Sequence, residues 1–310
     1  MPSLLRLGIP WMLALSTIGF SLLFPHVSVA AAPWIFLSSA ILLGVPHGAC
    51  DPWIPGWVLH RPSRLPFLIA FFIAYLALSS LYLLLWRTFP FPSTIFFLLL
   101  TAWHWGSADA SLEFHPGKQW LGFSIARGSL VMLAPFAFHL PEAWQVVQLM
   151  APGTLDWLRP DSHNHHLFFL IAVFLSLLLQ AFSRPHRGAW IETLVLLLLF
   201  YFTPPLLSVG IYFMAFHAWR HLLRLGSLRD QLPSADLSTP WIKAVSKLLL
   251  LSCPLTLATL IFLPWIPSLV RAMPANQNWV GPYLILLAVL TLPHAILVGW
   301  VDKKSPFISS

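Results

Sequence analysis

Apolar runs, interrupted by single charges or turn-forming residues, recur along the whole chain. A helix needs about 17–25 mostly apolar residues to cross the hydrocarbon of a bilayer. On that length the pattern predicts spanning helices near 4–24, 33–50, 65–86, 92–108, 120–140, 166–183, 189–203, 206–224, 243–263 and 280–300. Pro204-Pro205 parts the seventh from the eighth and fits either one broken helix or a tight hairpin, so about 8–10 helices are expected. The fold class is all-α and polytopic. Residues 1–310 read as a single membrane-embedded domain, with no internal repeat or low-complexity tail. The longest polar connections lie near 141–165 and 225–242.

Composition agrees. Hydrophobic residues make up 58% of the 310 residues and charged ones only 9%, with a mean hydropathy of +0.79. A soluble domain carries roughly 25% charged residues. The net charge of +7 does not indicate nucleic acid, because the charges stand singly between apolar runs. They fit the cytoplasmic bias of Lys and Arg better. With a cytoplasmic N-terminus, 13 basic residues fall inside, and Arg87, Arg159 and Arg271 fall outside. This asymmetry predicts an even number of spans in the cell membrane, with both termini cytoplasmic. Arg6, the apolar run and "VSVAAAP" imitate a secretory signal, but a run from Leu4 to Phe24 is long for one and is expected to stay as the first span. Cys50 and Cys253 are expected to be unpaired, buried thiols.

Within this apolar wall stands "MAFHAWRH", residues 214–221. Ionisable groups inside a bilayer are costly and usually functional. Of the 13 histidines, His26, His60, His115, His139 and His186 lie at helix ends or in loops, and the "HNHH" at 163–166 reads as a solvated connection. His47, His104, His217, His221 and His294 fall inside apolar segments, each in the later half of an even-numbered helix. They therefore lie at a similar depth. Neutral imidazole is a good ligand for iron, copper and zinc. His217 and His221, at i and i+4, share a helix face, and His47 with His104 completes a four-histidine set. His294 is a further ligand, a supporting partner or a substrate contact.

Asp51 follows His47 by one turn and Asp109 follows His104 by five residues. Each is expected either to orient a ligating imidazole or to cap its helix. Arg220 pairs with one of these acids or reaches for the interface. Gly44, Gly48 and Gly106 allow close helix packing or leave room beside a metal. Pro46 and Pro293 are expected to kink their helices. Trp103, Trp105, Phe213, Phe216 and Trp219 are candidates to line a slot for an apolar ligand. No Glu follows His217 as in the zinc-peptidase pattern. Nitrogen donors with open positions suit ferrous iron, while copper and zinc stay open; an i,i+4 pair on one helix fits bis-histidine haem poorly.

The segments "GVPHGACDPW", "WHWGSAD", "FHAWRHLL" and "TLPHAILVGW", in that order on apolar helices, together resemble the Brp/Blh family of membrane β-carotene 15,15′-dioxygenases, from about residue 40 to 302. The resemblance implies a non-haem Fe(II) enzyme that splits the central double bond of β-carotene with O2 into two all-trans-retinals, commonly for a microbial rhodopsin. It implies iron ligation by His47, His104, His217 and His221, and leaves the role of His294 open. The rival expectation is a membrane transporter, or a metal or proton relay, that uses the same histidines.

Overall fold

In the computed structural model, residues 3–61, 64–151, 163–230, 238–270 and 279–304 are described; Arg159 and Arg271 of the charge count lie outside them. The described residues are helical throughout, with no strand among them. A π-helical turn, Leu4–Gly8, leads into α1 (Ile9–Leu23), and Phe24 separates it from α2 (Pro25–Ser39). The second apolar run therefore begins at Pro25 and carries Pro33 inside a helix, where the sequence pattern placed a start. A π segment (Ala40–Gly44) then precedes the short α3 (Val45–Gly48), a 3-10 turn (Asp51–Trp53) and α4 (Ile54–Val58).

The long helices α5 (Leu65–Thr88) and α6 (Pro90–Ala110) both begin with proline in the first turn, where its missing N–H is no loss. They are followed by α7 (Lys118–Phe138) and α8 (Leu140–Gln148). The sequence pattern read residues from 141 as a polar connection. Pro141 and Glu142 instead start a helix that buries Trp144 and Val147, and an acid in a first turn complements the helix dipole. Next come α9 (His163–Ser183), α10 (Arg187–Phe202) and α11 (Pro205–Ile211). Thr203 and Pro204 are both extended, so α10 and α11 are separate helices. A π segment (Tyr212–Ala218) runs on from α11 into α12 (Trp219–Asp230), which occupies the start of the expected 225–242 connection. The chain closes with α13 (Ser238–Phe262), α14 (Ile266–Leu269) and α15 (Val280–Lys304).

Seven helical stretches among the described residues are long and apolar enough to cross a membrane, which makes this a multi-pass membrane protein. The stretches built on α6, α10 and α11–α12 are not among those seven. They pack between the seven, α6 along α7, α10 against α1 and α11 against α2. Polar residues buried on α6 and α12, such as His104, Asp109, Arg220 and His221, lower the hydropathy of their helices while serving the interior. Gly106 faces the Ser124 carbonyl and Gly128 faces Ala102, so a side chain at either would drive α6 and α7 apart. The lipid face is studded with exposed Leu, Phe, Ile and Trp. Cys253 belongs to that exposed face, against the expectation of a buried thiol; Cys50 is buried, and both are free.

Candidate metal centre

The five histidines of the apolar segments come from four places in the chain, and their rings gather into one cluster. Proline and π geometry shape two of the approaches. Ahead of His47 the helix widens into the π turn at 40–44, and Pro46 supplies no backbone N–H. The His47 Nδ1 lies 3.1 Å from the Leu43 carbonyl. A carbonyl only accepts, so Nδ1 carries the proton and Nε2 keeps its lone pair. His217 sits in the π segment Tyr212–Ala218, a form that often marks functional sites. His104 is carried by α6, His221 by α12 and His294 by α15 directly after Pro293.

All five imidazoles are buried. The His47 ring centroid lies 5.4 Å from those of His217 and His221 and 5.0 Å from that of His294. His104 lies 4.7 Å from His217 and 5.0 Å from His294, and His221 lies 5.3 Å from His294. One ligand nitrogen from each of His47, His217 and His294 falls within 4.8 Å of the other two. Four ring nitrogens are buried with no hydrogen-bond partner: Nε2 of His104, His221 and His294, and Nδ1 of His217. Unpartnered polar atoms are costly in a dry interior, and several converging lone pairs are the donor set of a transition-metal site.

Asp51 does not turn to its sequence neighbour His47. Both its oxygens lie 2.9 Å from His294 Nδ1, which donates to them. Tyr75 of α5 donates to Asp51 Oδ2 at 3.1 Å. His294 is thus held as a ligating imidazole usually is, with a carboxylate on one nitrogen and the other left for a metal. Its expected role was open between ligand, support and substrate contact. Among the described residues it belongs, with His47 and His217, to the group whose ligand nitrogens lie within 4.8 Å of one another, a group that does not include His104 or His221.

Asp109 does not reach His104. It accepts from Tyr212 at 3.0 Å and faces Arg220 at 3.4 Å and Arg127 at 3.7 Å. Arg220 neither snorkels nor pairs with one acid alone. Its two terminal nitrogens hold Glu192 of α10 at 3.0 and 2.5 Å, and its Nε donates to the Arg6 carbonyl at 3.0 Å. Trp11 of α1 donates to the same Glu192 at 3.2 Å. This buried network ties α1, α6, α10 and α12 together one residue away from His221. Sequence reading missed Glu192, Tyr75 and Tyr212. A charged residue within the apolar run at 189–203 was the available signal for Glu192. Beyond it, Arg224 is ion-paired with Asp302, which fastens α12 to α15.

A cavity of about 550 Å³ opens beside His47, His104, His217 and His294. It follows α5 from Phe71 to Leu83, roughly 18 Å at ~1.5 Å per residue, and its remaining wall comes largely from α13 and α15. Leu76 and Phe262, exposed at 59% and 43%, stand in that wall, so the mouth lies between α5 and α13 and faces lipid. Of the expected slot aromatics, Trp105 and Phe213 line the cavity. Gly44 gives Phe213 its seat, since a Cβ there would enter the ring. Trp103 is exposed, Phe216 packs under the Arg220 guanidinium at 5.0 Å, and Trp219 donates to the Leu5 carbonyl at 2.8 Å. In the "HNHH" stretch, His166 is not merely solvated: its Nε2 lies 2.6 Å from the Ala137 carbonyl. The His163 side chain lies outside the described residues.

Comparison with known proteins bears on this site. A relative in Halobacterium salinarum, named "Probable beta-carotene 15,15'-dioxygenase Blh", is 28% identical over 89% of this chain and 90% of its own length. A second, "Beta-carotene 15,15'-dioxygenase" of the uncultured marine bacterium 66A03, is 24% identical over 87% of this chain and 94% of its own. No solved structure matches. The family described as "Beta-carotene 15,15'-dioxygenase" matches residues 38–302, a stretch that contains all five histidines and every residue lining the cavity, and the chain belongs to that family.

Proposed function

We propose that this protein cleaves the central double bond of β-carotene, or of a closely related carotenoid, with O2 to give two molecules of all-trans-retinal. The observation that carries the proposal is the meeting of unpartnered imidazole nitrogens with a long apolar cavity that opens to lipid. Membership of an oxygenase family favours an enzyme over a transporter or relay. We assign the ligand set to His47, His104, His217 and His221, with His294 as a fifth candidate, and the metal to Fe(II). Thiolates are absent from the cluster and the donors are neutral nitrogens, which suits ferrous iron. Iron bound there supplies the activation of O2.

The chain's own residues do the rest. A carotenoid is a stiff apolar rod dissolved in the bilayer, and it enters through the gap between α5 and α13. The cavity walls strip it of lipid, exclude water and hold one bond of the polyene beside the histidines. Regioselectivity follows from where the rod stops, which is a matter of positioning. Leu43 and Asp51 each accept from an Nδ1–H, so His47 and His294 present Nε2 to the centre. No side chain is needed as a proton donor or acceptor. The retinal would serve a microbial rhodopsin, and the protein would lie in the cell membrane with both termini cytoplasmic.

Expression in a β-carotene-accumulating bacterium tests the reading. Cells should lose their orange colour, and retinal should appear in the extract. His217→Ala and His221→Ala should each stay folded and membrane-inserted, yet make no retinal. Orange cells despite good expression, or a variant with full activity and intact iron, would overturn it.

A further inference from the structure

A second, smaller cavity of about 100 Å³ lies on the far side of a thin partition from the first. Phe97, Thr101, Trp105, Phe213 and Leu287 border both cavities. The centre of that partition is an aromatic pair, Trp105 stacked on Phe213 at 5.8 Å, and Trp105 stands 5.6 Å from the His217 ring. The remaining walls come from α2, α7, α8, α11 and α15. Every lining residue is apolar except Thr101, whose Oγ1 is buried without a hydrogen-bond partner. Met132, Phe136 and Leu206 of the outer wall are half-buried, so lipid is near.

Size and polarity select the occupant. Water needs polar partners, and an apolar cavity of about 150 Å³ stays dry while taking up benzene or xenon. A drug-sized or larger ligand needs about 300 Å³ or more, so half a carotenoid does not fit. A diatomic gas does. A gas route separate from the large cavity also lets the two substrates arrive in either order. Once a carotenoid fills the large cavity, its mouth between α5 and α13 is plugged, and O2 that follows it needs another way in. O2 is apolar and dissolves more readily in hydrocarbon than in water, so it reaches the outer wall of the small cavity from the bilayer.

We propose that the small cavity is an O2 chamber, filled from the lipid and emptied past the Trp105–Phe213 pair to the histidine cluster. The proposal rests on the reading that the protein consumes O2 while it cleaves a carotenoid.

Xenon, a gas of suitable size and polarity, is the probe. With the full-length protein in nanodiscs, 129Xe NMR should show a saturable bound signal. Xenon should raise the KM for O2 several-fold, without change in kcat or in the KM for β-carotene. Val209→Phe and Val147→Phe, which fill the small cavity only, should remove the xenon signal. Each should raise the KM for O2 and leave kcat at saturating O2 unchanged. The proposal fails if wild-type protein shows no saturable xenon signal, or if xenon leaves the KM for O2 unmoved. It fails equally if a folded variant loses xenon binding but keeps its KM for O2. Both wild-type measurements decide the matter even if neither variant folds. A wild type that binds xenon but consumes no O2 with carotenoid overturns the functional reading and the delivery role, and leaves only a gas site.

Discussion

Arg220 is the residue whose loss should be felt most widely. It is buried, holds Glu192 through two nitrogens at 3.0 and 2.5 Å, and faces Asp109 at 3.4 Å. Arg220→Met keeps much of the volume and removes the charge. Two buried carboxylates then remain, and the other guanidinium near them, Arg127, is 3.7 Å from Asp109. Breaking a buried pair by deleting one partner costs about 3–5 kcal/mol, because the remaining charge is left uncompensated. Glu192→Gln removes part of that remaining charge, while its amide oxygen still accepts from Trp11. The double variant should therefore be more stable than the sum of the two single losses predicts, by about 0.5–3 kcal/mol. Reversible unfolding in mixed detergent–SDS micelles, followed by far-UV circular dichroism, measures all four corners of this cycle. Additivity within about 0.5 kcal/mol would show that the two side chains do not share their charge, and would refute the network as a unit. Arg220 directly precedes His221, so the folded single variant should also retain less iron.

Further predictions follow from the same geometry. Asp51→Ala should weaken metal binding by about 10- to 100-fold, as loss of a supporting carboxylate does, whereas Asp51→Asn should be milder; competition against a chelator of known affinity measures both. Tyr75→Phe removes one hydrogen bond to Asp51 and should cost about 0.5–1.5 kcal/mol in the micelle assay, with a smaller change in metal affinity than Asp51→Ala. His294→Ala should lower the bound iron per chain, measured by plasma emission on purified protein; unchanged iron would remove His294 from the ligand set. Gly128→Leu pushes a side chain into the Ala102 backbone, and overpacking of this kind costs about 1–3 kcal/mol or more, visible as a lower SDS midpoint.

Much of the protein was legible in one dimension. Helix formation in lipid is a local requirement, since every backbone group must be satisfied within its own segment. Hydrophobic run length therefore located most helices, and the failures came where local signals were mixed. Pro33 sits inside a helix because nearby helices and backbone adjustment tolerate it in a membrane. Residues 140–148 form a short amphipathic helix that a search for long apolar runs passes over. The histidines were legible for the same energetic reason: an imidazole in an apolar run needs a cause. Four motifs in order added the family.

The partners of those histidines were not legible. Asp51 sits one turn beyond His47 but serves His294, 243 residues away. Asp109 follows His104 but serves Tyr212, Arg220 and Arg127. Glu192 stands in a helix not suspected of any role, and of the aromatics lining the two cavities only the shared Trp105 and Phe213 were anticipated. Composition and spacing singled out the imidazoles that stand in apolar runs. Only the packed bundle decided which way each helix is turned about its axis. A rotation of one helix changes every cross-helix hydrogen bond while leaving the pattern of apolar and polar residues along the chain untouched.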